Sequence, residues 1–455
     1  MAREDNRLTG RVKRYAKVGA GIGGVAAKYA GNRLLGREGD QSRQAAELKA
    51  ALGGLKGPIM KVAQMVATIP EAVPEEFATE LAQLQANAPP MGWAFVRRRM
   101  AAELGPDWRS RFGSFEREAA AAASLGQVHR AEDTDGAPLA CKLQYPDMQS
   151  AVEADLQQLK VVFSIYRRMD SAIDPTKILE EIGERLREEL DYDLEARHMA
   201  LYRQIFAGTD RIVVPEARED LSTQRLLTMS WLEGKPLLSF KDAPEAVRNQ
   251  IAETMFEAWW FPFGRYGVIH GDPHLGNYTV RGDAGDGGIN LLDFGCIRKF
   301  PPEFVEGVLD LYHAIQRDDR DLAVSAYEKW GFQGLTNDLI DALNIWAEFI
   351  YGPLLKDKVQ RIAEGVSPGE YGRESAFKVH KRLKELGTVT PPREFVFMDR
   401  AAIGLGGVFI HLDARLNFYR LFNETIGEFS RQKVASDQDR ALGDSGLPPV
   451  GALAA

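Results

Sequence analysis

The chain has 455 residues, 45% of them hydrophobic and 27% charged, with a formal net charge of -8. This is an ordinary globular composition, enough for two or three domains or one bilobal unit with extensions. The negative balance argues against nucleic acid as the main partner, and two cysteines, Cys141 and Cys296, exclude a disulfide framework and point to a reducing compartment.

Residues 1–43 form a basic arm rich in small residues, and within it residues 1–37 carry +7, leaving -15 elsewhere. Gly19 and Gly23, Ala20 and Gly24, and Ala27 and Gly31 stand four apart, a spacing that lets a helix approach a neighbour closely. The arm reads either as a segment lying on an anionic membrane surface or as a solvated extension. No window reaches the roughly 18–20 apolar residues of a membrane-spanning helix, and no secretory signal is apparent. The expected location is cytoplasmic, with peripheral attachment to the inner membrane through the arm as the further option.

Residues 44–107 read as a helical extension cut into several helices by Pro58, Pro70, Pro74, Pro89 and Pro90. Within it, Lys61 and Gln64 lie one helical turn apart in KVAQ. From Phe112 the pattern turns to strands, with a hairpin turn at Asp135-Gly136 and inserted helices over Met148–Met169 and Pro175–Gln204. The loop Ala119–Ala123 and Ser124 stands where a phosphate-cradling loop is needed, with alanines in place of glycines. Lys142 sits in the apolar strand LACKLQYP and is the candidate to pair with phosphates and with a helix carboxylate. Glu189, Asp191 and Glu195 are the available partners; Glu195 is chosen, one helical turn beyond Asp191. Arg211–Val214 and Gln224–Ser230 read as strands, the second leading through Met229 and Trp231 into a hinge whose backbone would meet an adenine edge. A lobe over 108–235 is therefore expected, followed by a mainly helical lobe over 236–431 that opens with a helix from Ala243 to Phe261.

The stretch Val268–Gly295 carries the chemistry. It holds His270-Gly271-Asp272, then Asn277 five residues after Asp272, a hairpin over Tyr278–Val280 and Ile289–Leu292, and Asp293-Phe294-Gly295. Phosphoryl transfer explains that order. One Asp near the reacting hydroxyl orients or deprotonates it, while an amide oxygen and a second carboxylate hold Mg²⁺ against ATP phosphates. The long activation segment of a protein kinase, ending in Ala-Pro-Glu, is missing after Gly295. Residues 432–455 read as a disordered tail.

These motifs together resemble the UbiB/AarF family of atypical kinases, the coenzyme Q biosynthesis type. The resemblance runs over about residues 44–430. The K-x-G-Q signature corresponds to Lys61–Gln64 with Ala63 for the glycine, the alanine loop to Ala119–His129 and the strand lysine to Lys142. E-x-D corresponds to Glu189–Asp191, H-G-D-x-H-x-G-N to His270–Asn277 and DFG to Asp293–Gly295. The resemblance implies an α+β, bilobal, protein-kinase-like fold with the helical extension packed over the active site. ATP and Mg²⁺ are the implied cofactors. Asp272, Lys142 and Glu195 are then catalytic, and Asn277 and Asp293 hold metal. Ala121, Ala122, Ala123, Ser124, Lys142, Met229 and Trp231 bind nucleotide, while Lys61, Gln64, Glu189 and Asp191 occlude the γ-phosphate. The implied role is an ATPase or small-molecule kinase supporting ubiquinone or related isoprenoid-lipid metabolism at a membrane surface. Its partners would be a small-molecule or lipid substrate and quinone-biosynthesis enzymes. A non-catalytic nucleotide-sensing scaffold is the alternative, and a true protein kinase a third reading.

Overall fold

The computed structural model describes residues 90–122, 125–153, 156–157, 183–282, 287–366, 382 and 392–451. Lys61, Ala63, Gln64, Ala123 and Ser124, and the expected packing of the extension over the site, lie outside these residues. The chain divides into two compact units, one of residues up to Tyr192 with Glu219–Thr228, the other of Asp193–Arg218 and Met229 onwards.

In the first unit, helix α1 (Trp93–Leu104) buries Val96 and Met100, one helical turn apart. They join Trp108, Phe112, Ala131, Leu139, Cys141, Leu143, Leu221 and Leu226 in one apolar core. The sheet over this core runs β1 (Ser114–Phe115), β3 (Gly126–Glu132), β4 (Pro138–Gln144) and β6 (Leu226–Ser230), with β2 (Ala121–Ala122) on the edge of β3. The β3–β4 hairpin forms at the expected turn. Gly136 takes φ +85, open to glycine, and Asp133 Oδ1 accepts the Asp135 and Ala137 amide hydrogens at 2.9 and 2.8 Å.

Three expectations change here. The helix placed over Pro175–Gln204 breaks at residues 189–191, and α2 runs Tyr192–Ile205. Local pattern could not show the reason: Gln144 Nε2 donates to the Leu190 carbonyl at 2.7 Å and to the Gln224 carbonyl at 3.2 Å, holding the turn on β4. Asp191 therefore precedes α2 and shares no helix face with Glu195. The lobe boundary also moves, because Asp193–Arg218 and Met229 onwards belong to the second unit. There β5 (Ile212–Val213) pairs in parallel with β10 (Ile289–Leu291), within a four-stranded sheet that continues from β10 through β9 (Tyr278–Val280) to β7 (Lys235–Pro236). Finally, within the stretch 432–455 read as a disordered tail, α9 (Arg431–Asp444) is a helix that buries Val434, Asp437, Gln438, Ala441 and Leu442.

The rest of the second unit is mainly helical. α3 (Glu245–Tyr266) carries the buried Trp259 and Trp260 and continues past Pro262, where the sequence suggested a stop, to Gly267 at φ +61. Strands β7 (Lys235–Pro236), β8 (Val268–His270), β9 (Tyr278–Val280) and β11 (Ile297–Lys299) complete the sheets, β8 pairing with β11. They are followed by α4 (Pro302–Arg317), α5 (Arg320–Lys329), α6 (Asn337–Tyr351), α7 (Arg393–His411) and α8 (Phe418–Ile426). Among the described residues no helix is long and apolar enough to cross a membrane.

Candidate active site

In the second unit, short main-chain elements bring together residues distant in sequence. The β9–β10 register sets Tyr278 against Leu291, and the Leu292 amide donates to the Asn277 carbonyl at 3.0 Å. Asn277 and Asp293 therefore stand at the same open end of the hairpin. Asn277 Nδ2 donates to the Asp272 carbonyl at 3.1 Å, which leaves its amide oxygen as the presented end. Asp293 Oδ1 accepts the Gly295 amide hydrogen at 3.0 Å. Asp272, Asn277 and Asp293 are all half-buried.

His270 locks these segments together. Its Nε2 faces the Asp293 carbonyl at 2.6 Å, and its Nδ1 faces the Asp272 amide at 3.3 Å. A carbonyl only accepts and an amide N–H only donates, so the ring is neutral, protonated on Nε2 and bare on Nδ1. Burial lowers its pKa, consistent with this state. The rings of Tyr202, Trp259, Tyr278 and Phe294 surround it at centroid distances of 5.4–6.4 Å. The Tyr278 hydroxyl also donates to the Asp272 carbonyl, at 3.2 Å.

α2 grips the same DFG segment from another side. The fully buried Glu195 accepts the Phe294 amide hydrogen at 3.5 Å, and His198 Nδ1 donates to the Phe294 carbonyl at 3.0 Å. One helical turn thus fixes both main-chain groups of Phe294. α7 packs against the loop after β8, where a Cβ on Gly404 would collide with Pro273 Cγ, so glycine is needed for that close approach.

The first unit holds the other half of the expected set. Ala121, Val128 and Lys142 form one row across β2, β3 and β4. Ala121 thus lies about 10 Å, two strand spacings, from Lys142 along that row. Lys142 Nζ sits 5.2 Å from the centroid of the Tyr192 ring, on the same face of β4 as Gln144, which holds the Glu189–Asp191 turn. Met229 is buried, bridged to Ala217, and Trp231 follows the end of β6, both within the second unit. Glu233 and Gly234 beside them are fixed from β10. Asn290 Nδ2 donates to the Glu233 carbonyl at 3.0 Å and to Thr279 Oγ1 at 2.9 Å.

Several positions that hold these segments in place were not singled out from the sequence: Gln127, Gln144, His198, Tyr278, Asn290 and Gly404. Gln127 clamps the main chain of Met91, accepting its N–H at 2.6 Å and donating to its carbonyl at 3.2 Å. Its Nε2 also meets His129 Nε2 at 2.7 Å. A signal existed for Gln127, His129 and Gln144, since polar side chains at core-facing positions of apolar strands need partners. No such signal marks Gly404 in an ordinary amphipathic helix.

Asn277 and Asp293 offer an amide oxygen and a carboxylate, the hard oxygen donors that Mg²⁺ takes alongside phosphates. The residues present therefore fit a metal–nucleotide pair. Two protein ligands would leave the remaining positions to phosphate and water.

A family model described as the ABC1 atypical kinase-like domain matches residues 83–326. The mitochondrial atypical kinase coq-8 of Caenorhabditis elegans is 26% identical over 387 residues, 82% of this chain and 50% of that protein. The mitochondrial atypical kinase COQ8B of Danio rerio is 24% identical over 427 residues, 91% of this chain and 68% of that one. The chain thus spans about half to two thirds of the length of these relatives. Among solved structures, Rv3197 of Mycobacterium tuberculosis, in complex with erythromycin, aligns with a TM-score of 0.58 at 27% identity. That alignment covers 85% of this chain and 96% of that one. The α+β, kinase-like fold is as the sequence led us to expect, and the chain belongs to the ABC1 (UbiB/AarF) family of atypical kinase-like proteins.

Proposed function

We propose that this chain binds Mg-ATP and either hydrolyses it or transfers its γ-phosphoryl group to a small or lipid acceptor, in support of ubiquinone or related isoprenoid-lipid metabolism. The observation that carries the reading is the hydrogen-bonded circuit Glu195–Phe294, Asp293–His270, His270–Asp272 and Asp272–Asn277. It presets two oxygen donors and a carboxylate before any ligand arrives, and preorganisation is the main thing a phosphoryl-transfer site supplies.

In this reading Asn277 and Asp293 hold the metal, which when bound screens the phosphate charge. Asp272 orients the attacking oxygen and accepts its proton, while Tyr278 and Asn277 keep the Asp272 main chain in place. Lys142, paired with Glu195, holds the phosphates. Ala121–Ser124 cover them, and Met229 and Trp231 flank the adenine edge. Lys61, Gln64, Glu189 and Asp191 restrict what reaches the γ-phosphate. The basic arm makes contact with an anionic membrane.

The alanines of β2 favour a second reading, a nucleotide-sensing scaffold. They lie in a regular edge strand, a backbone geometry that keeps close to β3 and offers little of the freedom a glycine loop has. Phosphate release from Mg-ATP by the purified protein, with and without anionic liposomes, separates the two. Asp272→Asn is expected to lower release at least a hundredfold while Mg-ATP still raises its melting temperature. Unchanged release in that variant would remove Asp272 from the mechanism, and no release by the wild type with a retained thermal shift would favour the scaffold.

A further inference from the structure

α9 and the turn after it touch all three elements that carry the site. On α2, Gln204 Nε2 donates to Asp444 Oδ2 at 3.1 Å and Arg197 Nη1 donates to the Gly446 carbonyl at 3.3 Å. Past the DFG segment, Lys299 Nζ at the end of β11 donates to the Pro448 carbonyl at 3.0 Å. At the entry to β8, the buried Gln438 donates to the Tyr266 carbonyl at 2.6 Å and to the Phe300 carbonyl at 2.9 Å. Gln438 is keyed in so closely that a Cβ on Gly267 would lie 2.6 Å from its Nε2. Arg265 Nε and Asp437 Oδ2, 2.8 Å apart, add an ion pair at the same junction.

Apolar burial holds the strap itself down. Val434, Ala441, Leu442 and Leu447 are each no more than 5% exposed, and α9 packs on α3 and α4. The strap is therefore a fixed body, and α2, β8 and β11 are each tied to it. α2 in turn presents Glu195 and His198 to the two main-chain groups of Phe294.

We propose that residues Arg431–Pro448 are a positioning strap that sets α2 against the DFG segment, with Gln204–Asp444 and Arg197–Gly446 as its grip on that helix. The catalytic consequence rests on the phosphoryl-transfer reading above, whereas the mechanical claim does not. The strap also gives a reason for α2 from Asp193 onwards belonging to the second unit.

The test uses the full chain and a charge swap. Gln204→Glu sets a carboxylate against Asp444, and Gln204→Glu with Asp444→Lys restores attraction. Hydrogen exchange of the α2 amides is expected to quicken roughly three- to tenfold in the single variant and to return in the double, with the urea midpoint unchanged. In phosphate release from Mg-ATP, kcat is expected to fall several-fold in the single variant and to recover in the double. Exchange of α2 that matches the wild type in Gln204→Glu would overturn the strap. So would a loosening spread equally over α3 and α4, or one that the double variant leaves in place. A wild type without any phosphate release would sink the proposed reaction, while the exchange data would still decide the strap.

Discussion

His198 makes the second unit sensitive to acid. It is 4% exposed, its Nδ1 donates to the Phe294 carbonyl, and burial holds its pKa at about 3 against an ordinary 6.5. A folded-state pKa below the unfolded one means that the unfolded chain takes up the proton first. The contribution is fully present above pH 6.5 and is lost as pH falls from 6.5 towards 3. At 1.36 kcal/mol per pH unit, the loss between pH 7 and pH 5 is about 2 kcal/mol. The carboxylate of Asp413, held down at about 2 by hydrogen bonds from Arg361 and Arg248, titrates below this window and does not confuse it. Urea unfolding followed by tryptophan fluorescence should therefore show an excess midpoint shift between the two pH values. It should be about 0.7 M larger for the wild type than for His198→Gln, for a slope near 3 kcal/mol/M. Equal shifts in the two proteins would refute the assignment. His129 and His270, lowered by burial in the same direction, contribute to both and cancel in the comparison.

Gly404→Ala is expected to push Pro273 and the catalytic loop aside, costing about 1–3 kcal/mol in unfolding free energy and most of the phosphate release. Gln144→Leu removes the side-chain donor of the Leu190 carbonyl and leaves the Gln224 carbonyl with the Tyr192 amide, and should cost about 1–3 kcal/mol in the transition of the first unit. Leu442→Ala should cost about 2–4 kcal/mol by thermal or urea unfolding, a result a disordered tail would not give.

That Asp272, Asn277 and Asp293 come together was legible because their close spacing and the hairpin between them form a strong local pattern. The β3–β4 hairpin was legible for the same local reason. What escaped depended on partners far along the chain. The break at residues 189–191 is imposed by Gln144, 46 positions from Leu190. β5 reads like any short apolar strand, and its pairing with β10 is set by Ile212 and Val213 meeting Ile289 and Asn290. α9 looks like a tail because few of its residues are apolar. It folds because Val434, Ala441 and Leu442 share one stripe and Gln438 satisfies two carbonyls outside the helix.

The two cysteines sit one in each unit, Cys141 in the core of the first and Cys296 just after Gly295 in the second, both buried as free thiols. Burial pushes the Cys141 thiol up to about 12, so at neutral pH it is neither nucleophile nor metal ligand while the sheet is closed. A thiol reagent reaches Cys141, which has no exposed surface, only when the first unit opens, and Cys296, 8% exposed, reacts faster as the second unit opens. The native chain thus carries two built-in reporters, and labelling rates resolved by peptide would time the breathing of each unit separately, with no engineered probe.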